Sequence, residues 1–180
     1  LSLSSLSYAK RKTRELSITN IKYMQADILD VDTLNEKFDF IESSGVLHHM
    51  ENPFLGWQNL VRSLKKGGLM RIGLYSKTAR RSINIIRNEI KEFDKDFNYN
   101  DMKTFRDKII TSNKKHHKNQ LSSLDFYTMS TFRDLLFHSQ EHQFTITQIS
   151  EYLTQLGLKF CGFENKVALS KFQLFNSKEN

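Results

Sequence analysis

The chain has 180 residues, 38% of them apolar, and a net charge of +7, which suits one packed domain and argues against a disordered segment. Its single cysteine, Cys161, excludes an intramolecular disulfide framework and indicates a reducing compartment, so we expect a cytoplasmic protein. The apolar runs are too short to cross a membrane, and no signal-peptide pattern opens the chain.

The positive charge is concentrated in one segment. Residues 71–120 carry 13 Lys and Arg against 6 Asp and Glu, whereas the remaining residues carry 14 of each. A basic segment suits nucleic acid, but no recognition motif accompanies it. A solvated helical surface is the simpler interpretation, and we do not expect nucleic-acid binding.

Helices and strands alternate over the first 76 residues. The first four predicted elements are a helix, a strand, a short helix and a strand, at residues 1–16, 21–25, 31–36 and 38–42. Asn52 as N-cap and Pro53 in the first turn predict a helix that Gly67 and Gly68 end, before a strand at residues 69–75. This alternation is typical of an α/β fold with a mostly parallel sheet.

The pattern changes after residue 76. We predict one long amphipathic helix over residues 76–97, a polar and basic stretch to residue 119, and a helix over residues 130–138. Thr145 and Gln148 have the spacing of a capping box for a helix over residues 146–156, with Gly157 at its end. Two more strands are predicted, at residues 158–163 with Cys161 in the core and at residues 167–175.

The carboxyl ends of the strands are the expected ligand site, because an open parallel sheet binds ligands there. The readable ends are residues 25–28, 43–49 and 75–76. A carboxylate directly after a strand, as at Asp27, can accept a hydrogen bond from an exocyclic amine, and a neighbouring N–H can donate to a ring nitrogen. Such a pair would bind the edge of an adenine, although Asp27 could instead be a simple helix N-cap.

Residues 21–75 resemble the class I S-adenosylmethionine-dependent methyltransferases. The matching runs are Gln25-Ala26-Asp27-Ile28, Lys37-Phe38-Asp39-Phe40-Ile41, Val46-Leu47-His48-His49 and Leu64-Lys65-Lys66-Gly67-Gly68-Leu69, with Lys66 where the family has Pro. The resemblance implies a Rossmann-like, mostly parallel sheet with a helical insertion, S-adenosyl-L-methionine as cofactor, and transfer of its methyl group. It places the adenine at Ala26, Asp27 and Ile28, and the methionine and sulfonium part at Ser43, Ser44, Gly45 and Val46.

The start of the chain resembles the helix that follows the second strand of this family. The acid that binds the ribose hydroxyls would then come immediately before Leu1, so that Leu1 also lies at the cofactor. The first strand and its Gly-rich loop would lie further upstream, and none of the seven glycines forms such a loop here. We therefore expect an N-terminally truncated site that needs an upstream segment of the same chain.

Later segments resemble a narrower group, the methyltransferase domains of bacterial proteins with tetratricopeptide repeats. The similar runs are residues 73–76, 79–80, 132–138, 141–142 and 158–164. The resemblance implies three parts. Residues 1–76 would form the later part of the cofactor-binding half, residues 77–144 a helical substrate cap, and residues 145–180 a final helix with strands that complete the sheet.

Methyl transfer to nitrogen or oxygen needs a base, for which His48, His49 and Tyr75 are the catalytic candidates. The candidates for binding the acceptor are Arg80, Arg133, His138 and Glu141. Simpler roles are open for each: surface ion pairs for the arginines, a packed ring for Tyr75, and a local hydrogen-bond network for the others.

No metal is expected, because adjacent histidines rarely converge on one ion and the His138-x-x-Glu141-His142 pattern lacks a third ligand. We expect the methyl acceptor to be a small molecule or a protein. The atom that receives the methyl group could be nitrogen, oxygen or carbon. The alternative function is a non-catalytic, methyltransferase-like scaffold that docks a protein or RNA through its basic insertion, with Lys114, Lys115 and Lys118 as the residues to test.

Overall fold

The computed structural model describes residues 2–93, 95–138 and 140–164, and the chain divides into two units, residues 1–145 and 146–180. The elements of the first unit are α1 (Leu3–Glu15), β1 (Phe38–Ser44), α2 (Pro53–Arg62), β2 (Leu64–Gly73), α3 (Arg81–Lys91), α4 (Tyr99–Thr111), α5 (Lys115–Lys118) and α6 (Met129–Phe137). Short 3-10 helices cover Ile28–Leu34, Leu47–His49, Asn119–Ser122 and Leu124–Phe126. The predicted strand at residues 167–175, like Leu1, lies outside the described residues.

The second unit contains α7 (Ile146–Gln155), which confirms the helix predicted there. Gly157 follows it with a φ of +65°, the left-handed conformation that suits glycine just after a helix. No helix among the described residues is long and apolar enough to cross a lipid bilayer.

The strands β1 and β2 pair in parallel, and α2 connects them. The helix begins as the sequence predicts, since the side chain of Asn52 accepts a hydrogen bond from the backbone N–H of Leu55 and Pro53 takes the first turn. Trp57 and Leu60 on α2 are buried, as is Ile41 on β1. This parallel β-α-β arrangement confirms the predicted α/β fold class.

Removing the N-cap of α2 tests how much this local signal contributes. We expect Asn52→Ala to lower the free energy of unfolding by about 1 kcal/mol, because the N–H of Leu55 loses its acceptor. Asn52→Gly, which keeps a permissive cap backbone, should cost only a few tenths of that amount. Urea denaturation of both variants measures the difference, and equal losses would contradict the capping role.

Gly67 and Gly68 were predicted to end the helix, and this prediction is wrong. They lie inside β2. The helix ends at Arg62, and the strand register runs from Phe38 opposite Leu64 to Phe40 opposite Leu69, so residues 65–68 bulge out of the pairing. Gly67 has a φ of +78°, and a Cβ on Gly68 would approach the carbonyl oxygen of Asp39 to 3.0 Å. The two glycines therefore allow this bulge to form.

Two predicted strands do not form in the described part of the chain. Residues 21–25 and 158–163 have no ladder of hydrogen bonds, and Cys161 is exposed instead of part of the core. A strand needs a neighbour that pairs with its N–H and C=O groups. The apolar residues of these two segments favour strands, but they do not show whether a neighbouring strand is present to pair with them.

The helix predicted over residues 76–97 is shorter in the structure, where α3 covers Arg81–Lys91. Ser76 forms a parallel bridge with Phe144, whose N–H donates to the carbonyl of Tyr75 (2.8 Å) and whose carbonyl accepts from the N–H of Lys77 (3.0 Å). Residues 77–80 then form a turn before α3 begins. The pairing with Phe144 also brings residues 140–144 beside the end of β2.

A helical core supports the region beyond β2. Its buried members lie on α3, α4 and α6 and on the 3-10 helix before α6, and they are Ile83, Ile86, Phe105, Ile109, Phe126, Phe132, Leu135 and Leu136. The rings of Phe126 and Phe132 meet edge to face with their centroids 5.3 Å apart. The core fixes α3 against α6, and these helices carry several of the polar residues described next.

Candidate functional site

The three catalytic candidates converge at the carboxyl ends of β1 and β2. His48 and His49 follow β1 in the 3-10 turn Leu47–His49, and Tyr75 follows β2. The ring centroid of His48 lies 3.9 Å from that of Tyr75 and 4.3 Å from that of His49. Parallel strands end at the same edge of a sheet, which is why residues far apart in the chain meet here.

His138 and residues 140–142 lie against this group. The N–H of His142 donates to the carbonyl of His48 (2.7 Å), and Nδ1 of His49 lies 2.9 Å from the carbonyl oxygen of Gln140. The imidazole of His138 stacks on that of His49 with the centroids 3.9 Å apart. His138, predicted as a substrate residue, therefore lies against a catalytic candidate.

Glu141 lies at the centre of a buried ion network. Its side chain is only 1% exposed, and Oε2 contacts Nη2 of Arg87 at 2.9 Å and Nη2 of Arg80 at 3.4 Å. The side-chain amide of Gln143 donates to Oε1 at 3.0 Å. Two cations and an amide engage this carboxylate, which indicates that it holds the site together.

Arg87 was missed in the sequence analysis. Besides contacting Glu141, its guanidinium donates from Nη2 (2.7 Å) and Nε (3.2 Å) to the carbonyl of Leu135 at the end of α6. It lies on α3 between Ile86 and Ile90, and no local pattern pairs it with Glu141. Only the path of the chain through residues 140–144 brings its partner Glu141 to it.

The network reaches the catalytic candidates through Arg80. Its guanidinium carbon lies 3.4 Å from the centroid of the Tyr75 ring, whose other neighbour is the imidazole of His48. The ring of Tyr75 thus packs against both the guanidinium of Arg80 and the imidazole of His48. Its ring has a structural role that does not depend on its hydroxyl group.

The two adjacent histidines have different surroundings. His48 is only 2% exposed, and neither ring nitrogen has a hydrogen-bond partner of good geometry among the described residues, although the carbonyl of Gly73 is nearby. Burial lowers the pKa of His48 below the ordinary 6.5, and the adjacent His49 lowers it further. His48 is therefore a neutral, covered ring.

His49 is only half-buried, and its tautomer is set by its neighbour. A backbone carbonyl can only accept, so Nδ1 of His49 carries the proton that it donates to Gln140. In the neutral ring Nε2 then keeps its lone pair. Of the two histidines, His49 has the geometry of a base.

Arg133 is separate from this group. It lies on the exposed face of α6, and in the described part of the chain it forms no ion pair with Glu141. It lines an open pocket of about 500 Å³ together with His138, Asp134 and Phe137. Of the four predicted substrate residues, the structure thus brings together Arg80, Glu141 and His138.

The predicted adenine residues lead into the 3-10 helix Ile28–Leu34. Oδ1 of Asp27 accepts a hydrogen bond from the N–H of Leu29 at 2.9 Å, so Asp27 is the N-cap of this helix. The carboxylate has further acceptor positions, and its side chain is exposed. Within the described residues, Asp27 makes no hydrogen bond to residues 43–46. Ala26 and Ile28 flank it and are partly buried.

The end of β1 contains the other predicted cofactor residues. Ser43 is buried, and its hydroxyl has no hydrogen-bond partner in the described part of the chain. Ser44 packs closely on β2, since a Cβ added to Gly73 would lie 3.0 Å from its Oγ. Gly45 has a φ of +75° with open space where a Cβ would be, and Val46 is exposed.

Two groups of side chains could hold a metal ion, although none was predicted. They are His49 with Asp134 and His138, and Glu89 with His116 and His117, and in each group the ligand atoms lie within 4.8 Å of one another. The second group was missed. Its only sequence signal is the adjacent pair His116-His117, because Glu89 lies more than 25 residues away.

Residues 1–72 match a family described as "Methyltransferase domain". The matched region contains β1, α2 and nearly all of β2, and together with the parallel pairing it defines an α/β, Rossmann-like fold. An uncharacterized protein of Synechococcus sp. is 24% identical over 187 aligned residues, which cover 99% of this chain and 45% of the relative. The chain therefore spans less than half of that relative's length.

Proposed function

We propose that this chain forms part of an S-adenosylmethionine-dependent methyltransferase that acts on an acceptor bearing an N–H or O–H group. One observation carries the choice of acceptor. His49 presents a half-buried imidazole with its Nδ1 proton engaged, at the strand ends where this fold binds ligands. The match of residues 1–72 to a methyltransferase domain supports the reaction class.

The residues at the strand ends suit the cofactor chemically. The buried, unpartnered hydroxyl of Ser43 and the left-handed turn at Gly45 offer a hydrogen-bonding group and an approachable backbone. The exposed carboxylate of Asp27 would bind the adenine amine through an oxygen that Leu29 does not use. When bound, S-adenosyl-L-methionine would supply a methyl group on a sulfonium that already carries its leaving group.

The work of the chain's own residues is alignment and proton removal. His49 would take the acceptor's proton on Nε2 as the acceptor receives the methyl group that the cofactor would supply. The resulting imidazolium keeps its Nδ1–H bond to the carbonyl of Gln140. His48 and Tyr75 hold the ring of His49 in place, and the imidazolium later releases its proton to water.

Substitution of Asp27 tests the cofactor site. We expect Asp27→Ser to weaken S-adenosylmethionine binding by about 10- to 100-fold, because a hydrogen bond to a charged group is lost. Serine remains a good N-cap, so the 3-10 helix should keep its start. Isothermal titration of the protein with S-adenosylmethionine measures the affinity.

Asp30→Ser is the matched control, because Asp30 lies in the same 3-10 helix and is exposed. It should bind as the unchanged protein does. Equal losses in both variants would show that Asp27 has no specific role at the cofactor.

The scaffold alternative gains no support from the basic segment. Several of its cations are paired: Lys114 with Glu89, Lys95 with Asp101, and both Arg80 and Arg87 with Glu141. This pairing reduces the positive charge that would be free to attract RNA. Docking of RNA or protein stays a prediction, as do the association with tetratricopeptide repeats and the cytoplasmic location.

A further inference from the structure

A second polar cluster joins α3 to the short helix α5, separate from the methyl-transfer residues. Oε1 of Glu89 lies 2.9 Å from Nε2 of His116, and Oε2 lies 2.9 Å from Nε2 of His117. Both histidines thus direct the same ring nitrogen at one carboxylate. We propose that Glu89, His116 and His117 bind one divalent transition-metal ion, with Zn²⁺ as the best match.

The geometry is close to that of a bound ion. Metal–ligand bonds of about 2.0–2.1 Å in a tetrahedral site place ligand atoms about 3.3 Å apart. The three ligand atoms here already lie within 4.8 Å of one another, and each histidine nitrogen is 2.9 Å from the carboxylate. The two imidazole rings are inclined by 75°, so their nitrogens converge although the residues are adjacent. Small side-chain rotations would complete the set.

The cluster lies in a largely buried setting. The side chain of His117 is 1% exposed and that of Glu89 18% exposed. A carboxylate oxygen only accepts, so Nε2 of each histidine carries a proton in the metal-free cluster, and a bound ion would take the place of these two protons.

Lys114 occupies the solvent side of the cluster. Its ammonium lies 2.8 Å from Oε1 of Glu89, and its side chain is 55% exposed. An entering dication would repel this ammonium, which can swing into water on its flexible chain. The position it leaves would admit a water molecule as the fourth ligand. Two histidines, one glutamate and water form a known zinc coordination set.

The other candidate group is less suited to a metal. The side chain of Asp134 is 58% exposed and 3.9 Å from Nε2 of His138. The imidazoles of His49 and His138 are stacked nearly parallel, so their nitrogens do not converge from different directions. Like the proposed site, this group consists of two histidines and one carboxylate, so it provides a matched control.

Metal titration of the full 180-residue chain tests the proposal with Zn²⁺ and Co²⁺ as probes. We expect saturable 1:1 binding of Zn²⁺ and a visible absorption band for Co²⁺ typical of four or five ligands. Glu89→Gln and His116→Gln should each weaken binding by more than about 100-fold, since the loss of an outer-shell partner alone costs 10- to 100-fold. Bound Zn²⁺ should also raise the Tm of the unchanged protein.

The control is Asp134→Asn, which should bind Zn²⁺ as tightly as the unchanged protein. The side chain of His116 is 21% exposed, so we expect its variant to fold, and circular dichroism checks this. The proposal is overturned if the unchanged protein shows no saturable 1:1 binding, if either ligand variant keeps the original affinity, or if Asp134→Asn loses it to the same extent.

Discussion

His49→Gln lowers kcat for methyl transfer by about 10²- to 10⁴-fold, the usual contribution of a positioned base. The reason is that glutamine has no group that accepts the proton which Nε2 of His49 would take. Affinity for S-adenosylmethionine should stay unchanged, since the substitution is made on the acceptor side. The measurement is release of S-adenosylhomocysteine with any acceptor that supports turnover.

A second variant separates the role of His49 from that of the neighbouring ring. Tyr75→Phe is the companion variant, because it keeps the ring between Arg80 and His48 and removes only the hydroxyl group. It should lose no more than about 10-fold. A large loss in Tyr75→Phe with little change in His49→Gln would reverse the assignment.

Glu141→Gln lowers the free energy of unfolding by about 3–5 kcal/mol, because it leaves the charges of Arg80 and Arg87 without a counter-ion in a buried site. Glutamine has nearly the shape of glutamate, so packing should be preserved and the effect is one of charge. Urea denaturation followed by circular dichroism measures it. The chain should also lose order around Tyr75, on which Arg80 lies.

Glu15→Gln is a closely matched control for this loss. Glu15 also contacts two cations, Arg11 at 3.6 Å and Lys12 at 2.7 Å, but all three side chains are about half exposed or more. Exposed ion pairs contribute about 0–1 kcal/mol, so this variant should be nearly as stable as the unchanged protein. Similar losses in the two variants would mean that the buried network of Glu141 has no special role.

The sequence predicted those parts of the fold that depend on neighbouring residues. Asn52 and Pro53 start α2 because capping needs only the next few backbone groups. Gly157 follows α7 for a similarly local reason. The strand ends beside His48 and Tyr75 were predicted because parallel strands end at a common edge of the sheet, where ligands bind.

Features that depend on distant partners were not predictable in the same way. Ser76 pairs with Phe144 at the position where the local pattern predicted the start of a helix. The same pairing brings Glu141 to Arg80 and Arg87. No periodicity or spacing in one segment encodes such a contact. The convergence of Glu89 with His116 and His117 is of the same kind, since it depends on how α5 packs against α3.

The structure also ranks candidates that the sequence left equal. His48 and His49 are adjacent, yet one is covered and the other presents a nitrogen with a lone pair. Burial and tautomer depend on the carbonyl of Gln140 and on the ring of Tyr75, neither of which is a neighbour in sequence. This distinction is the reason for proposing His49, and not His48, as the base.

The central claim, a methyltransferase cofactor site at the ends of β1 and β2, is tested most directly by calorimetric titration with S-adenosylmethionine. The protein should bind one equivalent, and S-adenosylhomocysteine should displace it competitively, because the two share the adenosine part that Asp27 would bind. Absence of binding, or binding that S-adenosylhomocysteine does not displace, would contradict the proposed function.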